Sequence, residues 1–267
     1  MDRRRGNQQP NTPTTNNLTM HSFITHNLIT LLERGAFNQP KAEARLLPMS
    51  PHKWRKLVDA AASLNILRFV ARGAEIMKDD KAFSPTLTAA ITARHGGKDE
   101  VPFDYSNAHL FNHWTQKKLD EVREEEMNSH NTSDETLTLL DIIIKNTEHI
   151  VTKDTSIEGI IIMGQYVREQ REMIDYDKLR LWLAYIGLVQ IASVEGNMLI
   201  SCMGFEAEEL PFVIKPYHKA KHLFMNSITK VFGKHSFSTM TRMNIAMLET
   251  ISHRFVSAIS LVTDIEE

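Results

Sequence analysis

Cysteine is almost absent from this sequence, because Cys202 is the only one among 267 residues. A single cysteine cannot form an internal disulfide or a cysteine-rich metal site, and such scarcity is typical of proteins from a reducing compartment. We therefore expect a cytoplasmic protein with no disulfide framework.

Long hydrophobic runs are also missing. The apolar stretches at 139–145 and 159–164 are far shorter than the roughly 18 to 20 residues that cross a bilayer. Residues 1–17 carry charge but no apolar segment of a secretory signal. The sequence therefore predicts no contact with a membrane and a disordered basic tail over residues 1–19.

The common catalytic signatures do not occur. There is no GxSxG, no glycine-rich phosphate loop before a lysine, and no CxxC. Two HxxxH spacings, His109 with His113 and His218 with His222, could each place two metal ligands on one helix face. Neither pair has the glutamate of HExxH, and such pairs arise easily among 12 histidines. We predict no metal, no cofactor and no enzymatic activity.

What is present is an ordinary globular composition with an uneven charge. Hydrophobic residues make up 42% and charged residues 24% of the chain, with a net charge of −2. Residues 1–100 have a net charge of +6, residues 101–200 of −8 and residues 201–267 of zero. A basic region suits a polyanion such as nucleic acid, whereas an acidic region is repelled by it.

The first third of the chain predicts three helices and a hairpin. A first helix spans residues 20–36, and a short second helix lies between Pro40 and Pro48. The third helix begins at Ser50 and Pro51, a good N-cap and first position. After it, two short apolar runs flank Arg72-Gly73 and predict a β-hairpin over 66–78.

The middle third repeats this order. Helices are predicted after Ser133 or Asp134, after Thr155 with Glu158 as a capping box, and between the cap Asp175 and the stop Gly187. A second hairpin is predicted over 188–201, around Glu195-Gly196. An offset of 122 residues aligns the two blocks and places Asn65 on Gly187.

In element order and hydrophobic pattern, residues 20–85 and 135–203 each resemble a winged-helix module of the helix-turn-helix superfamily. The resemblance implies a mainly α fold with small β-hairpins (α+β), built from two winged-helix-like modules and C-terminal helices. The predicted units are the tail 1–19, module 1 at 20–94, a linker and charged helix at 95–134, module 2 at 135–205 and C-terminal helices at 206–267. The alternative is chance similarity, since helices followed by short strands are frequent in α+β domains.

The resemblance also implies a site for duplex DNA on module 1. The third helix of a winged helix enters the major groove and the hairpin contacts the adjacent backbone. The residues so implicated are, on the helix, His52, Lys53, Arg55 and Lys56, and, on and after the hairpin, Arg68, Arg72, Lys78 and Lys81. The resemblance also implies that Trp54 and Leu57 turn into the core. The alternative is an ordinary solvated surface.

The rest of the chain favours protein contacts. The third helix of module 2 carries the mixed charges of Asp175, Asp177, Lys178 and Arg180, which suit a protein partner better than phosphate. Two C-terminal helices are predicted, at 216–232 and 238–265, and the second could pack on the protein's own core or on a second subunit as a homodimer. Its apolar stripe consists of Met240, Met243, Met247, Ile251, Phe255, Ala258, Val262 and Ile265.

One enzymatic resemblance stays open. An apolar run ending at Gly164, followed by Asp175 and Asp177, is faintly similar to the polymerase-β-type nucleotidyltransferases, whose D-x-D carboxylates hold metal ions. The serine that follows the glycine in that family is replaced by Gln165, which implies a degenerate site. The sequence predicts a DNA-binding regulator or DNA-maintenance factor that self-associates or binds a partner through module 2 and the C-terminal helices. The alternatives are a non-enzymatic interaction scaffold and a degenerate nucleotidyltransferase.

Overall fold

A computed structural model describes residues 20–37, 45–95, 102–130, 132–152 and 155–232. These ranges contain ten α-helices, one short 3-10 helix and no strand. The helices are α1 (Met20–Phe37), α2 (Pro51–Ser63), α3 (Leu67–Ile76), α4 (Pro85–His95), α5 (His113–Met127), α6 (Asp134–Thr152), α7 (Ile157–Glu169), α8 (Tyr176–Ile186), α9 (Val189–Cys202) and α10 (Ala220–Lys230). The 3-10 helix spans Ala207–Glu209.

Capping residues fix several helix ends where the sequence predicted them. Asp175 caps α8 by accepting a hydrogen bond from the Lys178 amide at 2.9 Å. Gly187 ends the same helix in the left-handed conformation, with φ of 92°. At α7 the cap is Ser156, whose hydroxyl accepts from the Gly159 amide at 3.0 Å, rather than the predicted Thr155.

The two predicted hairpins are wrong, and with them the α+β fold of two winged-helix-like modules. Residues 66–78 contain α3 and residues 188–201 contain α9, and no residue in the described ranges belongs to a strand. Ile66, Phe69, Val70 and Ala74 recur at helical spacing and are all buried. The apolar residues that were interpreted as two strands therefore form one buried helix face.

Both glycines assigned to hairpin turns lie inside helices. At each of them another part of the chain approaches so closely that a side chain would not fit. A Cβ atom on Gly73 would lie 2.0 Å from the carbonyl oxygen of Leu31 on α1. A Cβ atom on Gly196 would lie 2.2 Å from Cγ2 of Val213. Glycine at these positions serves close packing, not a change of chain direction.

A similar turn joins α2 to α3 and α8 to α9. Asn65 and Gly187, the positions aligned by the 122-residue offset, both have positive φ, at 56° and 92°. The residue after each donates its amide to a carbonyl five positions earlier, Ile66 to Ala61 at 2.9 Å and Leu188 to Leu183 at 2.8 Å. This is a Schellman-type ending in both cases. The repeated sequence pattern thus corresponds to a repeated turn between two helices.

The helices pack in two connected groups. Helices α1 to α4 contact one another, with α1 crossing α3 and α2 lying against α4. Helix α9 is buried along most of its length among α6, α7, α8 and α10, while α5 packs mainly on α8. Helix α1 also contacts α7 and α10, which joins the two groups through one core.

Two predicted helices differ or cannot be compared. Residues 45–50 are not helical, because the Asn27 side chain on α1 pairs with both the amide and the carbonyl of Leu47, each at 2.8 Å. The tail 1–19, residues 38–44 and the predicted helix at 238–265 lie outside the described residues. Among the helices that are described, none combines the length and apolar character needed to cross a bilayer.

Candidate nucleic-acid interface

The outer face of α2 presents three of the four residues that were predicted for its helix. His52 and Arg55 are exposed and Lys56 is half-buried. Their spacing of three and four residues places them on one side of the helix. Trp54 and Leu57 are buried, so the prediction that these two turn into the core is confirmed.

Lys53 lies apart from this face. Its Nζ atom is 5.0 Å from the ring centroid of Phe23 on α1, and the side chain is half-buried. This cation–π contact directs Lys53 along α1, so its charge lies beside the face rather than at its centre.

Arg68 forms an ion pair between α3 and α7. Its Nη2 atom donates to Oε1 of Glu158 on α7 at 2.6 Å, and Nδ2 of Asn65 donates to the other carboxylate oxygen at 2.5 Å. The Glu158 side chain is only 6% exposed, and the Arg68 guanidinium also lies over the Phe69 ring. Arg68 therefore joins the α2–α3 turn to α7 and is not placed as a phosphate ligand.

The other predicted cations are exposed but do not stand on a hairpin. Arg72 lies on α3, while Lys78 and Lys81 lie in the turn between α3 and α4. Asp80 fixes that turn by accepting from the amides of Ala82 at 2.8 Å and Leu46 at 3.2 Å. The structure thus presents all three cations to solvent, Arg72 from the middle of α3 and the other two from an ordered turn.

A groove between α2 and α4, which the sequence did not predict, adjoins the α2 face. It has a volume of about 610 Å³. Its charged lining residues are Arg55 and Asp59 on α2 and Arg94 on α4. The Arg94 Nη2 atom lies 3.7 Å from Oδ1 of Asp59. Its remaining lining residues are small or aliphatic: Val58, Pro85, Thr86, Ala89, Ala90 and Ala93. We call this site the α2–α4 groove.

A signal for α4 was present in the sequence. Ser84 precedes this helix and Pro85 begins it, just as Ser50 precedes α2 and Pro51 begins it. The Ser84 hydroxyl accepts from the Thr86 amide at 3.3 Å. The same Ser-Pro rule therefore locates both helices. Threonines and alanines in α4 hide the apolar periodicity that marked the other helices.

Charge is divided between the two groups of helices. Residues 45–95 contain nine Lys and Arg against four Asp and Glu, whereas residues 102–152 contain four against ten. The α2 face and the α2–α4 groove lie in the basic part, which favours an anionic ligand there.

The carboxylates of the nucleotidyltransferase resemblance are engaged at the start of a helix. Asp175 caps α8, and Asp177 pairs with Arg180 on the next turn. The apolar run before Gly164 forms helix α7 rather than a strand. No group of three or more potential His, Cys, Asp or Glu metal ligands occurs within the described ranges.

The histidine pairs do not share a helix either. His109 precedes α5 and His218 precedes α10. Only His113 and His222 lie within those helices. The structure therefore does not place either pair on one helix face, which is the arrangement that an HxxxH metal site requires.

Glu195, at the supposed second hairpin turn, is a fully buried acid in the middle of α9. The Thr147 hydroxyl oxygen on α6 lies 2.9 Å from the Ile143 carbonyl oxygen and 3.1 Å from Oε1 of Glu195. A hydroxyl has one proton, so a proton on the Glu195 carboxyl group allows both contacts to be hydrogen bonds. Burial raises the pKa of Glu195 well above its usual range, and the Thr147 and Asn146 side chains oppose that rise. Burial thus favours the protonated form of Glu195.

Comparisons of this chain with protein-family models, with curated proteins and with solved structures found no match.

Proposed function

We propose that this protein binds nucleic acid, and duplex DNA in particular, through the α2 face. The observation that carries the proposal is that His52, Arg55 and Lys56 share one side of α2 without an ion pair to any carboxylate in the described part of the chain. The charges of Arg55 and Lys56, which no carboxylate in this part of the chain neutralises, and the ring nitrogens of His52 are available to phosphate oxygens.

The surroundings of α2 support the same ligand. The helix begins at Pro51, next to the cations, and the N-terminal end of a helix favours negative charge. Arg72, Lys78 and Lys81 lie on the following helix and turn. Phosphate contacts of this kind position a duplex without reading its sequence, so we propose binding with little sequence preference.

In this proposal the protein is a non-enzymatic regulator or DNA-maintenance factor. Cys202 is the single cysteine and has no second cysteine for an internal disulfide, which agrees with a reducing, cytoplasmic setting. The nucleotidyltransferase-like alternative has no comparable support, because Asp175 and Asp177 are engaged at the start of α8.

The test is a gel-shift series with random duplex DNA at rising salt. We expect the double variant Arg55→Ala, Lys56→Ala to bind about tenfold more weakly, because two phosphate contacts are lost. The matched control is Arg171→Ala, Lys215→Ala, which removes the same charge from two exposed positions outside the basic region. Absence of binding at low salt, or equal loss in both double variants, would overturn the proposal.

A protein-interaction role is a second candidate, favoured by one specific observation. Leu181 on α8 and Trp114 on α5 are 71% and 63% exposed. Large exposed apolar side chains on neighbouring helices are typical of a surface that contacts another protein. This candidate corresponds to the scaffold predicted from the sequence.

A further inference from the structure

Helices α5 and α8 together form one exposed surface. The Lys118 ammonium group near the start of α5 donates to the carbonyl oxygen of Tyr185 near the end of α8 at 2.8 Å. Near the other ends of the two helices, Lys178 pairs with Glu126 at 2.6 Å. The helices are therefore antiparallel. We call their solvent-facing side chains, Trp114, Glu121, Glu124, Glu125, Leu181 and Tyr185, the α5–α8 face.

Apolar side chains form the centre of this face on α8. Leu181 and Tyr185 are one helical turn apart and therefore lie on the same side, with exposures of 71% and 46%. Trp114 lies one turn before Lys118, the residue that contacts Tyr185. In the described part of the chain no helix covers them.

Glutamates of α5 lie along one side of the apolar centre. Glu121, Glu124 and Glu125 line a shallow depression on α5. The Tyr185 hydroxyl donates to Glu121 at 2.5 Å, and this hydrogen bond, together with partial desolvation and the charges of Glu121 and Glu125, raises the pKa of Tyr185. The acidic side chains of α5 therefore border the exposed apolar side chains of α8.

The α2–α4 groove has the complementary character. Its lining includes the exposed Ala89 and Ala93, which leave room for a larger side chain, and Arg55 and Arg94 lie beside them. Asp59 also lines the groove and pairs loosely with Arg94 at 3.7 Å. An apolar projection bordered by carboxylates therefore meets an apolar depression that carries two guanidinium groups against one carboxylate. Both surfaces belong to the same chain, so every copy carries one of each.

We propose that the α5–α8 face of one copy docks into the α2–α4 groove of a second copy. Leu181 occupies the alanine-lined floor, and Arg55 and Arg94 approach Glu124 and Glu125. This inference rests on the protein-interaction candidate and does not require nucleic-acid binding. Because the two surfaces differ, the contact is head-to-tail, so it leaves one groove and one face free for further copies unless a ring closes.

The direct test exchanges the charges of the two surfaces. One variant carries Glu124→Lys and Glu125→Lys, and the other carries Arg55→Glu and Arg94→Glu. We expect each variant alone to remain monomeric in sedimentation velocity, while the wild type associates as its concentration rises. An equimolar mixture of the two variants should associate again, because each reversed surface finds its new complement.

Two further variants separate docking from general charge effects and from misfolding. Glu169→Lys, Glu172→Lys reverses two exposed charges elsewhere and should associate like the wild type. Leu181→Ser should weaken association at least tenfold without changing charge, while circular dichroism reports an unchanged helical signal.

A wild-type protein that stays monomeric at low salt, or a variant mixture that stays monomeric, would overturn the proposed contact. Gel shifts on the Leu181→Ser variant keep the two proposals apart. That variant leaves the α2 face and the net charge unchanged, so its DNA binding reports on the proposed function even where self-association fails.

Discussion

Gly35 and Gly73 face each other where α1 crosses α3. The amide nitrogen of Gly73 lies 2.6 Å from the position that a Cβ atom on Gly35 would occupy. The same Cβ atom would be 1.8 Å from the carbonyl oxygen of Phe69. The two backbones are in direct contact, and neither position has room for a methyl group.

Replacing Gly73 by alanine should therefore destabilise the protein although alanine is the better helix former. The added methyl group would meet the Leu31 carbonyl, so α1 and α3 must separate, at a cost of about 1–3 kcal/mol or more. Urea denaturation of Gly73→Ala measures this loss. The neighbouring change Arg72→Ala, at an exposed site on the same helix, serves as the control, and equal stability of the two variants would contradict the packing described for this crossing.

Arg68 should behave as a structural residue. Removing it leaves the buried carboxylate of Glu158 with one fewer donor, and we expect Arg68→Ala to lower the free energy of unfolding by about 1–3 kcal/mol. Because the carboxylate is the partner, the double variant with Glu158→Gln should lose less than the sum of the two single variants. Additive losses would show that the pair does not interact. In DNA binding, Arg68→Ala should fall short of the Arg55→Ala, Lys56→Ala effect.

Glu195 should make the protein less stable as the pH rises. In the folded state its pKa is raised well above that of an ordinary glutamate, so above about pH 4.3 the unfolded chain releases a proton that the folded chain keeps. The stability contributed by the neutral acid is complete below that pH and is lost progressively up to the folded-state pKa.

The substitution Glu195→Gln keeps a side chain of similar shape but removes the titratable carboxyl group. Urea denaturation from pH 5 to pH 9 should show the variant gaining stability relative to the wild type as the pH increases. Parallel pH profiles of the two proteins would mean that Glu195 is already ionised in the folded state.

Helix ends were predictable because they depend on neighbouring residues. Ser50 with Pro51, and Asp175 with Gly187, mark the limits of α2 and α8 in the sequence and in the structure. The aligned positions Asn65 and Gly187 also share a conformation. Such signals are local, and the chain obeys them without reference to the rest of the fold.

The hairpins were mispredicted because the role of a glycine depends on what packs against it. Gly73 and Gly196 were interpreted as turn residues, yet they allow Leu31 and Val213 to approach. Likewise, the sequence showed that Arg68 is a cation near other cations, but only the fold brings Glu158 to it across 90 residues. The α2 face could be predicted because its residues lie on one helix. The α2–α4 groove could not, because it depends on how two helices pack together.

The measurement that tests the central claim most directly is the salt dependence of binding to a fluorescent random duplex, for the wild type and for Arg55→Ala, Lys56→Ala. For the wild type we predict an affinity that falls linearly with salt on logarithmic axes. For the variant we predict weaker binding and a slope reduced by about two, one unit for each lost phosphate contact. Wild-type binding that is absent at low salt, or a slope that is the same in both proteins, would contradict the assignment of the α2 face.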